Sequence, residues 1–207
     1  AATQHLLKGQ TLGEQAVLPG SESRLYAAMA RIKESEGDLN GALDLLHKAE
    51  RLYKPDPVPD VRPVAALKTQ VWLEQGRLTE ALGWARERGL SADDDLSYLR
   101  EFEHITLARM LITEYKSERV ERSIHEAMGL LERLLQAAEA GGRKGSVIEI
   151  QVLQALGHQA QGDISPALVA LERALKLAEP EGYLCIFTDK GQPMQTLLAA
   201  SLTKGSD

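Results

Sequence analysis

The sequence has a single cysteine, Cys185, so no intrachain disulfide can staple the fold. That cysteine sits in the apolar run YLCIF, the setting of a core thiol rather than of a nucleophile, which needs a charged and partly exposed environment. Aromatic residues make up only 4% of the chain, and the β-branched and aromatic enrichment that builds sheets is missing. No apolar run approaches the roughly 18 residues of a membrane span, and no leader is visible, so with its lone thiol the chain is expected in the cytoplasm. An excess of basic charge is missing too. The formal net charge is -6 with the signs interspersed, which argues against a nucleic-acid partner. The chain lacks an initiator Met and opens in mid-pattern, and is expected to be a piece of something longer.

Motifs that carry chemistry are also absent. His5, His47, His104, His125 and His158 are scattered, with no HExxH and no second His at i+4, so they read as packed or solvated helix residues. GGRKGS, Gly141 to Ser146, has the composition of a phosphate loop in the wrong order and follows a helix rather than a strand, which makes it a helix–helix turn. Asp93, Asp94 and Asp95 precede a helix, where acids complement its dipole and cap it more readily than they hold a divalent cation. With no nucleophile elbow, no dinucleotide loop and no convergent acid–base set, the chain is not expected to be an enzyme. No cofactor or metal is expected.

What is present is a repeat. ESEGDLNGALDLLHKAERL (Glu34 to Leu52) joins a helix end, a tight turn at Gly37-Asp38 and a second helix with an apolar stripe at Leu39, Ala42, Leu43, Leu46, Ala49 and Leu52. Degenerate copies follow at Leu73 to Leu90, Ser117 to Glu139 and Gln159 to Ala178. The leucine-like positions Leu43, Leu82, Met128 and Leu168 recur at intervals of 39, 46 and 40 residues, above the roughly 34-residue tetratricopeptide period but with its logic. Each second helix keeps G-[DR]-h-x-x-A-L, where h is apolar, or a relic of it, and the small Ala lets two helices approach closely. One pair cannot bury both faces alone, whereas stacked pairs share a core. The expected fold is therefore all-α: a right-handed, tetratricopeptide-like α-α superhelix of about four hairpins plus terminal helices.

Its expected organisation is one helical-repeat domain over residues 1–207, with a half repeat at 1–18, helix pairs at 22–53, 61–90, 96–140 and 144–178, and a C-terminal cap at 179–207. In the first pair Leu25, Ala28, Met29 and Ile32 share a face expected to be buried. The proline-rich connector Lys54 to Pro63 reads as a stiff loop between repeats rather than a binding segment. Leu96 to about Tyr115 is the longest hydrophobic helix. Its apolar residues, Leu99 and Phe102 among them, cover too wide an arc for a surface position, so neighbours are expected on two sides.

Two groups of residues are candidates for recognition. Tyr98, Arg100, Glu101, Glu103, His104 and Arg109 crowd polar groups onto that central helix, either as a wall for a polar ligand or peptide, or as a plain solvated face. Trp72 and Trp84, both in the second pair, are candidates for a stacking platform, with inter-helix packing as the alternative.

Several phrases together resemble a known family: EGDLNGALDLLHKAERLY, VRPVAALKTQVWLEQGRLTEALGWARERGL, YLREFEHITLARMLI, and ALVALERALKLAEPEGYLCIFTDKGQPMQTLL. They resemble the tetratricopeptide-like region of large ATP-dependent bacterial transcription activators, the maltose-regulon activator type with a LuxR-type helix-turn-helix. The likeness covers essentially the whole chain, and its most specific parts are E-x-x-T-L-A-R and A-E-P-E-G-Y…F-x-D-x-G-x-P-M-x-x-L-L. The resemblance implies a sensor region that binds an unknown small inducer or a modulator protein in its superhelical groove and passes the signal to ATP-driven self-association. In such proteins self-association, ATP binding and DNA binding belong to other modules, and neither a phosphate loop nor DNA-binding helices lie within these 207 residues. The alternative is a pure protein-interaction scaffold with no small-molecule ligand. No membrane partner is expected.

Overall fold

A computed structural model of the chain describes residues 21–54, 59–180, 182, 187 and 191–204. The expected half repeat before Leu18, and Cys185 with most of its apolar run, lie outside these. Every described element is helical, in agreement with the all-α reading, and the helices form antiparallel hairpins in two compact units, Ala1–Glu87 and Arg88–Asp207.

The first unit holds α1 (Ser21–Ser35), α2 (Leu39–Leu52), α3 (Val64–Glu74) and α4 (Leu78–Glu87). The α1–α2 turn shows why the sequence folds here. Gly37 takes φ +80, a left-handed conformation that costs a side chain about 1–2 kcal/mol, and returns its N–H to Glu34 O while Asp38 N–H reaches Lys33 O. Asp38 then caps α2 by accepting from Gly41 N–H at 2.9 Å. That amide and the Lys33 ammonium, 3.3 Å away, hold the Asp38 carboxyl below its ordinary pKa. The same pair of backbone bonds closes the turns at Gly76, Gly142 and Gly162. The α2 stripe is buried at Ala42, Leu43, Leu46 and Ala49, and Lys68 Nζ to Glu50 at 2.9 Å links α2 to α3. The stripe expected on α1 packs less completely. Leu25, Ala28, Met29 and Ile32 are half-buried, and Ala28 lines a cavity described below.

The second unit holds α5 (Glu101–Glu118), α6 (Glu121–Ala140), α7 (Lys144–Gln161), α8 (Ile164–Ala178) and α9 (Gly191–Lys204). Twelve of the eighteen residues of α5 are buried, and Glu101 to Ala108 are buried without a break, because α6 and α7 both pack on it. The helix starts later than expected. Ser97 is extended, a single 3-10 turn spans Tyr98–Arg100, and Leu99 faces solvent at 53% exposure instead of joining the core. The α5–α6 turn lacks glycine. Arg119 takes the left-handed conformation there at φ 57, with one bond from its N–H to Tyr115 O, which is the relic of the turn motif in the third pair.

The repeat's small residue is the geometric pivot of both units. Ala42, Ala81, Ala127 and Ala167 are each 0% exposed. At the C-terminal end Phe187, Met194 and Leu197 pack into the α7–α8 core around Leu171 and Val152, so α9 covers the apolar edge of the last hairpin. Gly157 of α7 marks another close approach, since a Cβ there would lie 2.6 Å from Met128 Sδ of α6.

Candidate functional site

The polar residues at the start of α5 are neither a solvated face nor a loose collection. Glu103 is 2% exposed and lies between two guanidinium groups. Arg88 reaches its Oε1 through Nε at 2.8 Å and Nη2 at 2.7 Å, and Arg100 Nε reaches its Oε2 at 3.2 Å. Glu101 is 6% exposed. Its Oε2 accepts from Arg143 Nε at 2.9 Å and Nη2 at 2.6 Å, and its Oε1 accepts from the Ser146 hydroxyl at 2.6 Å. A buried carboxylate persists only when its charge and lone pairs are met in this way.

His104, 0% exposed, bridges the helix to the preceding loop. Its Nδ1 lies 3.0 Å from Arg100 O and its Nε2 3.0 Å from Asp94 Oδ2. Asp94 also accepts from Ser91 N–H at 3.1 Å, and His104 with that amide holds the Asp94 carboxyl below its ordinary pKa. Asp94 therefore does not cap the helix; it reaches back onto the first turns of α5. Arg133 of α6 completes the fastening by donating to the carbonyls of Ala92, at 2.6 Å, and Asp94.

Of the residues expected to form a recognition cluster, Arg100, Glu103 and His104 come together around Asp94 and Arg88, while Glu101 points to the α6–α7 turn. Tyr98 is 56% exposed with the Arg143 guanidinium 5.6 Å above its ring. Arg109 turns away to α7, where its Nη2 lies 3.1 Å from Glu149 Oε1 and its buried Nε has no partner among the described residues. In the other unit Trp84 is buried with its Nε1 unpartnered among the described residues, whereas Trp72 is half-buried with Lys68 Nζ and the Arg77 guanidinium each 5.6 Å from its ring. Arg88, Arg143 and Ser146, with partners on α5, and Arg133, with partners in the loop before it, were not singled out in the sequence as recognition residues, because each lies far along the chain from its partner and no local spacing announces it. Among the described residues, no three His, Cys, Asp or Glu side chains converge as metal ligands, and no helix is long and apolar enough to cross a membrane.

Open space lies elsewhere, between α1, α3 and the connector before α3. A cavity of about 380 Å³ is floored by Ala27, Ala28, Val64 and Leu67 and edged by Tyr53, Pro59 and Val61. Ser23, Arg24, Arg31, Lys54, Arg62 and Asp60 complete its wall. Its size falls in the range of small-molecule sites, roughly 300–1,000 Å³, and its apolar floor with a few polar groups matches their composition. The sequence carried a signal for it. Arg24, Ala27, Ala28 and Arg31 fall at i, i+3, i+4 and i+7, so one face of α1 presents two small residues between two cations.

No curated protein and no solved structure matches the chain. A family model does: the MalT-like TPR region matches residues 1–204, the span that holds every hairpin described above, and the chain belongs to that family.

Proposed function

We propose that this helical-repeat region acts as the sensor of a cytoplasmic LuxR-type transcription regulator, binding a small inducer, or a modulator protein in its place, against the first helices of its hairpins. The cavity between α1 and α3 carries this reading: it is a space of ligand size lined by both apolar and charged groups in a family of helical-repeat regulatory modules. The buried polar cluster of α5 has the opposite character. Its carboxylates are occupied by Arg88, Arg100, Arg143 and Ser146, so its role is to fasten the hairpins of the second unit to one another. Binding signals by stabilising one of two states of the regulator, which requires a ligand with different affinities for the two. ATP binding, DNA binding and self-association reside in other regions of the regulator, and the repeat region itself performs no catalysis.

A thermal-shift screen of the chain against a metabolite library tests this. A sensor gains stability from a ligand by mass action, about 2.7 kcal/mol at a hundredfold excess over Kd. No response to any metabolite, combined with co-purification of a protein partner, would replace the sensor by an interaction scaffold.

A further inference from the structure

We infer that the α1–α3 cavity takes a small organic anion, a molecule with a phosphate or carboxylate group and a compact apolar or aromatic body. This rests on the sensor reading of the repeat region and names the ligand class of that site.

The first observation is charge. Four cations and one carboxylate stand among the described residues lining the cavity, in a chain whose formal net charge is -6. Among the described lining residues the sign is thus the reverse of the chain's, at a space of ligand size in the first unit. A concave site with low-dielectric walls focuses such a field and attracts anions. Three of the four cations are arginines, whose planar fork pairs with two oxygens of a phosphate or carboxylate at once.

The second observation is placement. Arg24 and Arg31 lie two helical turns apart on the same face of α1, and Ala27 and Ala28 between them leave room where a larger side chain would fill the gap. Lys54 and Arg62 bring cations from the two ends of the connector to the same space. Arg31 and Lys54 are exposed and make no ion pair among the described residues, in contrast to the doubly paired carboxylates of α5.

The third observation is the apolar part of the wall. Val64 and Leu67 of α3 join the alanines of α1 as a floor, and Tyr53, 46% exposed, stands at the edge with a ring available for stacking. An inorganic ion would leave this surface uncovered, whereas an anion with a ring or short hydrocarbon body covers it. Asp60 supplies one acceptor to a hydroxyl or amine on the same molecule.

The test titrates the 207-residue chain with phenyl phosphate and phenylacetate, with benzyl alcohol as the neutral counterpart, by calorimetry and thermal shift. Saturable binding of either anion supports the site, and comparison of the two tells phosphate from carboxylate. Benzyl alcohol is expected to bind at least tenfold more weakly. The double variant Arg31→Gln/Lys54→Gln, which alters only exposed side chains, is expected to keep the helical circular dichroism of the parent and to lose about tenfold in affinity for the anion. Absence of saturable anion binding, or equal affinity in the variant, overturns the inference. So does binding of a hexaglutamate peptide without any response to the small anions, which would assign the cations to an acidic polypeptide. A neutral metabolite that stabilises parent and variant equally overturns the anion site while leaving the sensor reading intact, and failure of every metabolite as well as both anions removes the two together.

Discussion

Removing the carboxylate of Glu101 is expected to destabilise the second unit by about 2–3 kcal/mol. The carboxylate is only 8% exposed and accepts three hydrogen bonds, two from one guanidinium and one from a hydroxyl. Breaking a fully buried ion pair costs roughly 3–5 kcal/mol, most of it from the charge left behind. Here the partner left behind is Arg143, 25% exposed, which can recover part of its hydration by turning outward and so falls below that range. The Ser146 hydroxyl adds about 1 kcal/mol as a hydrogen bond lost from a part-buried site. The assay is urea unfolding of Glu101→Ala, Arg143→Ala and the double variant at pH 7, with the slope checked for constancy so that midpoint shifts read as stability. The coupling energy between the two sites is expected at about 1–2 kcal/mol. A coupling near zero would refute the reasoning, because it would make Glu101 an independent side chain free to serve a ligand instead of a brace between α5 and the α6–α7 turn.

Two further outcomes follow from the same geometry. Ala42→Trp and Ala167→Trp each place a large ring where the structure leaves 0% exposure, and each is expected to cost roughly 1–3 kcal/mol or more by overpacking; unchanged melting in both would break the shared register of the hairpins. Asp94→Asn is expected to destabilise the protein at neutral pH and to lose that effect in acid. Asp94 has a folded pKa held below its unfolded one, so its stabilisation is present above the unfolded value of about 3.9 and disappears as pH falls through the folded value. Stability curves of the parent and Asp94→Asn that stay parallel from pH 7 down to acid unfolding would contradict this.

The hairpins were legible because their signals are local. Gly37 with Asp38 and Gly162 with Asp163 mark turns by residue type alone, and the stripe through Ala42, Leu46 and Ala49 marks the buried face of α2 by its spacing. The start of α5 was not legible. Nothing in the order of residues from Leu96 to Arg100 shows that Arg133, far along the chain, holds the carbonyls of Ala92 and Asp94 in the loop before the helix. The polar side chains of α5 misled for the same reason. Glu101, Glu103 and His104 look like a solvated edge until their long-range partners bring them into the core. The cavity lay between these extremes: the Arg-Ala-Ala-Arg face of α1 is visible in sequence, but its meaning depends on α3 and the connector folding back beside it.

Hydrogen–deuterium exchange of the chain, with and without saturating phenyl phosphate, tests the central claim most directly, because it locates the ligand as well as detecting it. Slowed exchange is expected across residues 23–31 and 59–67, where α1, the connector and α3 enclose the cavity, with little change across residues 98–115. Protection centred on residues 98–115, or no protection anywhere, would contradict an anion-binding site at the α1–α3 cavity.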